Sequence, residues 1–211
     1  MADWTTISSL ATAGGTLVLA LATFSSVRSS NRSAQATERM LMAGISPLVV
    51  NSRLQDEGIK VGFADNHWVK VPGGSAVAEV VDDVVYLVVS LRNVGSGIAV
   101  LDRWDLWDDM PRGADATHRE LDTFRRLTRD IYIPAGDVGF WQGAFRDTEE
   151  DVYKGIRKSI EDRQPMTLDL LYSDHEGGQH TVSRLALIPR SDDLWMVTTG
   201  RHWNLDRADP R

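Results

Sequence analysis

From Trp4 to Val27 the chain carries no charged side chain, and Arg28, Arg32 and Arg39 follow directly. A run of this length leaves little choice of conformation: wound as a helix it measures about 36 Å, enough to cross a hydrocarbon layer of about 30 Å with some tilt. Thirteen of its 24 residues are apolar, including Ile7, Leu10, Leu17, Val18, Leu19, Leu21, Phe24 and Val27, and nine are Ser or Thr. A helical hydroxyl bonds the carbonyl one turn back, so Ser and Thr are tolerated in lipid where a charge is not. Trp4 suits the aromatic belt at the membrane interface. A cleaved signal peptide needs a basic start, which Met1-Ala2-Asp3 does not supply. The expected element over 4–27 is a transmembrane helix in contact with the lipid bilayer.

Lys and Arg beside a span are retained in the cytoplasm, so these arginines predict a single-pass inner-membrane protein with its N-terminus outside and its C-terminal domain cytoplasmic. The absence of cysteine agrees with a reducing compartment. Ala11 and Gly15 stand four residues apart, with Ala13 and Gly14 between them. That small-residue patch permits helix pairing in a homodimer and serves equally well facing lipid.

A polar stalk helix is expected over 28–46, ended by Pro47, which disfavours helical geometry at the residue before it. Beyond it the texture changes to short β-branched runs punctuated by Gly, Pro and Asp. This predicts strands over 48–53, 60–64, 68–71, 77–81, 84–93, 98–107, 130–133, 138–145, 167–173, 180–188 and 195–199. Both faces of Val84-Val85-Tyr86-Leu87-Val88-Val89-Ser90-Leu91 are apolar, as in a central strand covered on both sides. Residues 166–171 and 182–188 alternate apolar with polar, as in strands wetted on one face. Two helices are expected to interrupt the strands. One starts at the capping box Thr117-His118-Arg119-Glu120 and continues through Leu121, Phe124 and Leu127; the other starts with the carboxylates of 147–151 and continues through Val152, Ile156 and Ile160. The fold class is mainly β: a transmembrane and stalk helix, an immunoglobulin-like antiparallel β-sandwich over 47–205 with two short inserted helices, and a polar tail over 206–211.

The densest group of metal-competent side chains is Asp174-His175-Glu176-Gly177-Gly178-Gln179-His180. Its glycines lie between two strands and read as a tight hairpin, whereas zinc needs three or four ligands converging on one point. Asp174, His175 and His180 are weak metal candidates on this reading. The glycine-rich Asn93-Val94-Gly95-Ser96-Gly97 lacks the Lys and Ser/Thr of a phosphate loop and is followed by a strand. No cysteine nucleophile and no Gly-x-Ser-x-Gly elbow is present, and no cofactor motif is found, so neither catalytic residues nor a cofactor are assigned.

Residues 47–211 hold 20 basic and 28 acidic side chains, net −8, which makes a poor nucleic-acid binder. Arg119, Arg125, Arg126 and Arg129 are the exception, a basic cluster that reads first as a solvated face and alternatively as a surface for an acidic partner or lipid headgroups. Trp104 and Trp107 are an odd number apart and face opposite sides of a regular strand.

After the uncharged N-terminal run come the stalk 32–39 and the phrases Leu91-Arg92-Asn93-Val94-Gly95-Ser96-Gly97, Pro134-Ala135-Gly136-Asp137-Val138-Gly139-Phe140-Trp141, Tyr172-Ser173-Asp174-His175-Glu176-Gly177-Gly178 and Arg201-His202-Trp203-Asn204-Leu205-Asp206. In this combination the chain resembles a group of uncharacterised actinobacterial single-pass membrane-anchored proteins with a C-terminal β-sandwich-like domain. The resemblance implies the single-span layout and brings no activity with it. Tethering without a catalytic motif favours a membrane-tethered adaptor that binds another protein. The alternatives are a small-molecule or metal-dependent activity around Asp174, His175, His180 and His202, and a structural protein that self-associates through Ala11 and Gly15.

Overall fold

A computed structural model describes residues 4–110, 117–190 and 194–206; the side chains of 4–13, 18, 39 and 43 lie outside the described set, and with them that of Ala11. Of the tail over 206–211 only Asp206 is described. The chain divides into two compact units, Met1–Gly44 and Ile45–Arg211.

The first unit is one helix, α1 (Trp4–Gly44), so the expected membrane and stalk segments are a single uninterrupted element. No proline interrupts it, and Thr23 Oγ1 donates one turn back to Leu19 O at 2.8 Å and Ser25 Oγ to Ala22 O at 2.9 Å. Leu17, Leu19, Leu21 and Phe24 are all exposed. At about 100° per residue Leu17, Leu21 and Phe24 fall on one side of the helix, within about 60° of one another, and Leu19 lies on the opposite side. Gly15 has open space around it. Among the described residues no helix is long and apolar enough to cross a membrane.

The second unit contains β1 (Val49–Asn51), β2 (Ile59–Gly62), β3 (Trp68–Val71), β4 (Ser75–Val81), β5 (Val84–Asn93), β6 (Ala99–Trp107), β7 (Arg125–Ile133), β8 (Val138–Phe145), α2 (Asp151–Glu161), β9 (Met166–Ser173), β10 (Thr181–Pro189) and β11 (Leu194–Asn204). All eleven expected strands are present. Nine form one curled antiparallel sheet in the order β1-β5-β4-β11-β10-β9-β6-β7, with β8 along the other edge of β5. β2 and β3 make a separate hairpin. An immunoglobulin-like sandwich divides its strands between two sheets, whereas these nine share one path.

Curling puts one face of the sheet inside. Val85, Leu87, Val89 and Leu91 of β5 meet Leu168, Leu170 and Tyr172 of β9 and Leu185 and Leu187 of β10 in the main core. Tyr86 and Val88, on the opposite face of β5, pack under Val61, Val69 and Val71 of the β2–β3 hairpin. The strand with two apolar faces is therefore covered twice. A third cluster, Phe124, Leu171, Val182 and Trp203, lies on the outer face of β9 and β10.

Two expectations are corrected. The first inserted helix is absent: residues 117–124 are irregular with a turn at 121–123, Phe124 closes the third cluster, and 125–133 is the strand β7, paired with β6 at Ala99↔Ile133 to Leu101↔Ile131 and again at Arg103↔Arg126 and Trp104↔Arg125, with a bulge between. Leu127, Ile131 and Ile133 also alternate at strand spacing, and tertiary pairing with β6 outweighs a local helical start signal. The second correction concerns the alternating strands, which are not wetted on one face. Every residue of β9 is buried. Its polar side is roofed instead: Asp169, fully buried, takes a bidentate pair from Arg184 (Nη2–Oδ2 2.6 Å, Nε–Oδ1 2.7 Å), and Trp107 and Trp203 lie 4.9 and 4.8 Å from that guanidinium. The second inserted helix is present as α2 but starts at Asp151, so that of the carboxylates at 147–151 only Asp151 lies in its first turn; it buries Tyr153, Ile156 and Ser159, while Val152 faces outward.

Candidate functional site

Like β1, which pairs only with β5, β7 and β8 each have a single strand partner among the described residues, β6 and β5 respectively. β7 and β8 follow one another in the chain through the turn at 134–137, yet they do not pair. Where they diverge they leave a cleft of about 620 Å³, within the usual range for ligand sites. β7 contributes Arg125, Arg126 and Arg129; β8 contributes Gln142 and Gly143; Arg146 follows β8; Phe63 and Trp104 add aromatic surface.

Three of these arginines are held in position. Arg125 pairs with Glu150 and lies 4.8 Å over the Phe145 ring; Arg129 Nη2 donates to Gln142 Oε1 at 2.8 Å across the gap; Arg146 Nη2 donates to Asp65 Oδ2 at 2.8 Å. Arg126 is exposed and has no acidic partner among the described residues. Asp65 also accepts from the Tyr86 hydroxyl at 2.6 Å. That bond first, and the one from Arg146 next, hold the Asp65 carboxyl down at about 2. The Tyr86 hydroxyl is pushed up by the same bond and by burial. Four guanidiniums against Glu150 and Asp65 leave the cleft net positive within an acidic domain. Guanidinium is always protonated and only donates. Such donors can hold negative charge through charge-assisted hydrogen bonds.

Arg119, the remaining member of the expected cluster, is elsewhere. It lies 3.9 Å over the Trp107 ring and 3.5 Å from Asp105. Burial pushes the Asp105 carboxyl up, more than Arg119 lowers it, and Asp169 across the ladder adds to the rise. Trp104 packs into the core at 5.0 Å from Trp141 with one side under the cleft, and Trp107 lies on the opposite face of β6, as their odd spacing predicts.

The metal candidates do not come together. Asp174 is buried and its carboxylate organises the turn, Oδ1 accepting from Glu176 N at 3.0 Å and Gly178 N at 2.9 Å, Oδ2 from Gln179 Nε2 at 3.2 Å. Burial raises this carboxyl, and the hydrogen bonds together outweigh it and hold it below the ordinary range. His175 is exposed, and His180 faces Asp206 through Nδ1 at 3.2 Å. His202 Nδ1 is 2.6 Å from Ser183 Oγ. That Ser–His contact is unsuited to nucleophilic attack, because Ser183 is fully buried and its hydroxyl is shared with the Tyr172 hydroxyl and Val49 O.

The glycine-rich loop after β5 is a crossing point. Ser96 N donates to Ser46 O at 2.9 Å and Val94 N to Leu48 O at 2.8 Å, and a Cβ on Gly95 or Gly97 would overlap the backbone at 45–48. Buried Asn93 ties the crossing together, donating from Nδ2 to Gly97 O and Ile133 O.

Arg146 and Trp104 were not legible as parts of the cleft. The signal was the turn at 134–137: across a hairpin built on it, 129 stands opposite 142 and 125 opposite 146. A helical reading of 117–129 hides that register. No protein-family model, no curated protein and no solved structure matches this chain.

Proposed function

We propose that this protein is a membrane-tethered binding module whose β domain recognises an anionic partner in the arginine cleft. The observation that carries the reading is the convergence of Arg125, Arg126, Arg129 and Arg146 around an aromatic floor in a domain that is otherwise strongly acidic. Concave shape, apolar floor and a few fixed donors are the usual features of a ligand site. The tether rests on the uncharged run from Trp4 to Val27, with exposed apolar side chains at Leu17, Leu19, Leu21, Phe24 and Val27 and arginines at one end, in the single-span layout that the sequence resembles. On the same charge argument the domain faces the cytoplasm.

The test uses the full chain in neutral detergent, titrated with inorganic pyrophosphate and with a poly-glutamate peptide and followed by tryptophan fluorescence and by calorimetry. Saturable binding that weakens with salt, and weakens by roughly tenfold or more in Arg126→Glu/Arg129→Glu, is expected. If neither probe binds at millimolar concentration, or the reversal changes nothing, the cleft is not an anion site.

A further inference from the structure

We propose that the occupant of the cleft is an extended acidic segment of a partner protein, which adds as a strand in the open seam between β7 and β8. This rests on the reading of the cleft as an anion site and specifies its ligand.

Among the described residues β7 and β8 each keep one edge without a strand partner, and both free edges border the cleft. Of the chain-adjacent strands of the sheet, β4–β5, β6–β7, β9–β10 and β10–β11 pair, whereas β5–β6, β7–β8 and β8–β9 do not; of these three, β7 and β8 are the two strands whose residues line the cleft together. The side-chain bond from Arg129 to Gln142 crosses the gap. Edges of this kind are templates for strand addition, in which backbone amides supply affinity and alternate side chains supply specificity.

Charge selects the occupant. Edge arginines repel a second copy of the same edge, a common protection against self-pairing. They attract a strand with carboxylates along one side. Successive strand residues point to opposite faces. The arginines border the seam and Trp104 and Phe63 lie on its floor. A segment alternating acidic and apolar residues matches both surfaces at once, which a free phosphate or a small dicarboxylate does not.

The test again uses the full chain in neutral detergent, here with a fluorescein-labelled peptide alternating Glu and Val and with the same peptide N-methylated at alternate amides. Tight binding of the first, weakened roughly tenfold or more by N-methylation and to a similar degree by Arg126→Glu/Arg129→Glu, is expected. Both substituted positions are at least partly exposed, and unchanged thermal unfolding of the variant shows that it folds. If the N-methylated peptide binds as well as its parent, or if pyrophosphate displaces it at equal affinity, the seam takes charge alone; strand addition then falls while the anion site stands. If neither peptide nor pyrophosphate binds, both readings fall.

Discussion

Asp65 accepts hydrogen bonds from Tyr86, Arg146 and the His67 amide, which hold its carboxyl at about 2 against an ordinary 3.8. A carboxyl depressed by folding contributes stability that is present above its unfolded value and is lost as pH falls through its folded value. Asp65→Asn therefore lowers the unfolding temperature at neutral pH, and the gap to the parent narrows between pH 3.8 and about 2. A gap constant across that window would show that Asp65 acts by packing alone. Asp105 has the opposite sign: raised first by burial, it favours the folded state at low pH, and that contribution fades as pH rises through its folded value. None of this was readable from residue identity. Asp169 and Arg184 sit in alternating patterns that describe a wetted face equally well, and only the segment that roofs them decides otherwise. For the cleft the sequence supplied Arg125, Arg126 and Arg129 but not their neighbours across the seam, because those depend on β7 being a strand.

Among the elements, β3, β5 and β8 have the boundaries that their composition predicts, since each is a compact β-branched or aromatic run between Gly, Pro or Asp signals. The segment at 117–129 fails because a local capping box competes with a long edge of β6, and the edge wins. The β5–β6 loop shows how strictly one element can depend on another. Gly97 lets the backbone at 45–48 lie directly on the loop, and a side chain there has no room. Gly97→Ala is expected to destabilise the domain by about 3 kcal/mol, the upper end for overpacking, measured by urea unfolding. A change below about 0.5 kcal/mol, the level of an ordinary surface substitution, would mean that the crossing relaxes freely.

At the scale of the whole molecule, the helix and the β domain are separate compact units, and removal of residues 1–44 takes nothing from the core of the second. The full chain is expected in the membrane fraction, with a tag at its C-terminus cut by protease in inverted vesicles and spared on intact cells. The chain without residues 1–44 is expected in the soluble fraction with an unchanged unfolding temperature. Cutting on intact cells would reverse the orientation, and a full chain that stays soluble would remove the tether. The sheet itself is joined late in the sequence: β4 finds its second neighbour only in β11, through Ala76↔Trp195, and β11 in turn receives Asn51 of β1 through Thr199. A ribosome must therefore translate almost the entire domain before its first strands can be sealed into the sheet, and until then the hydrophobic β4–β5 hairpin waits with an open edge for a partner not yet synthesised.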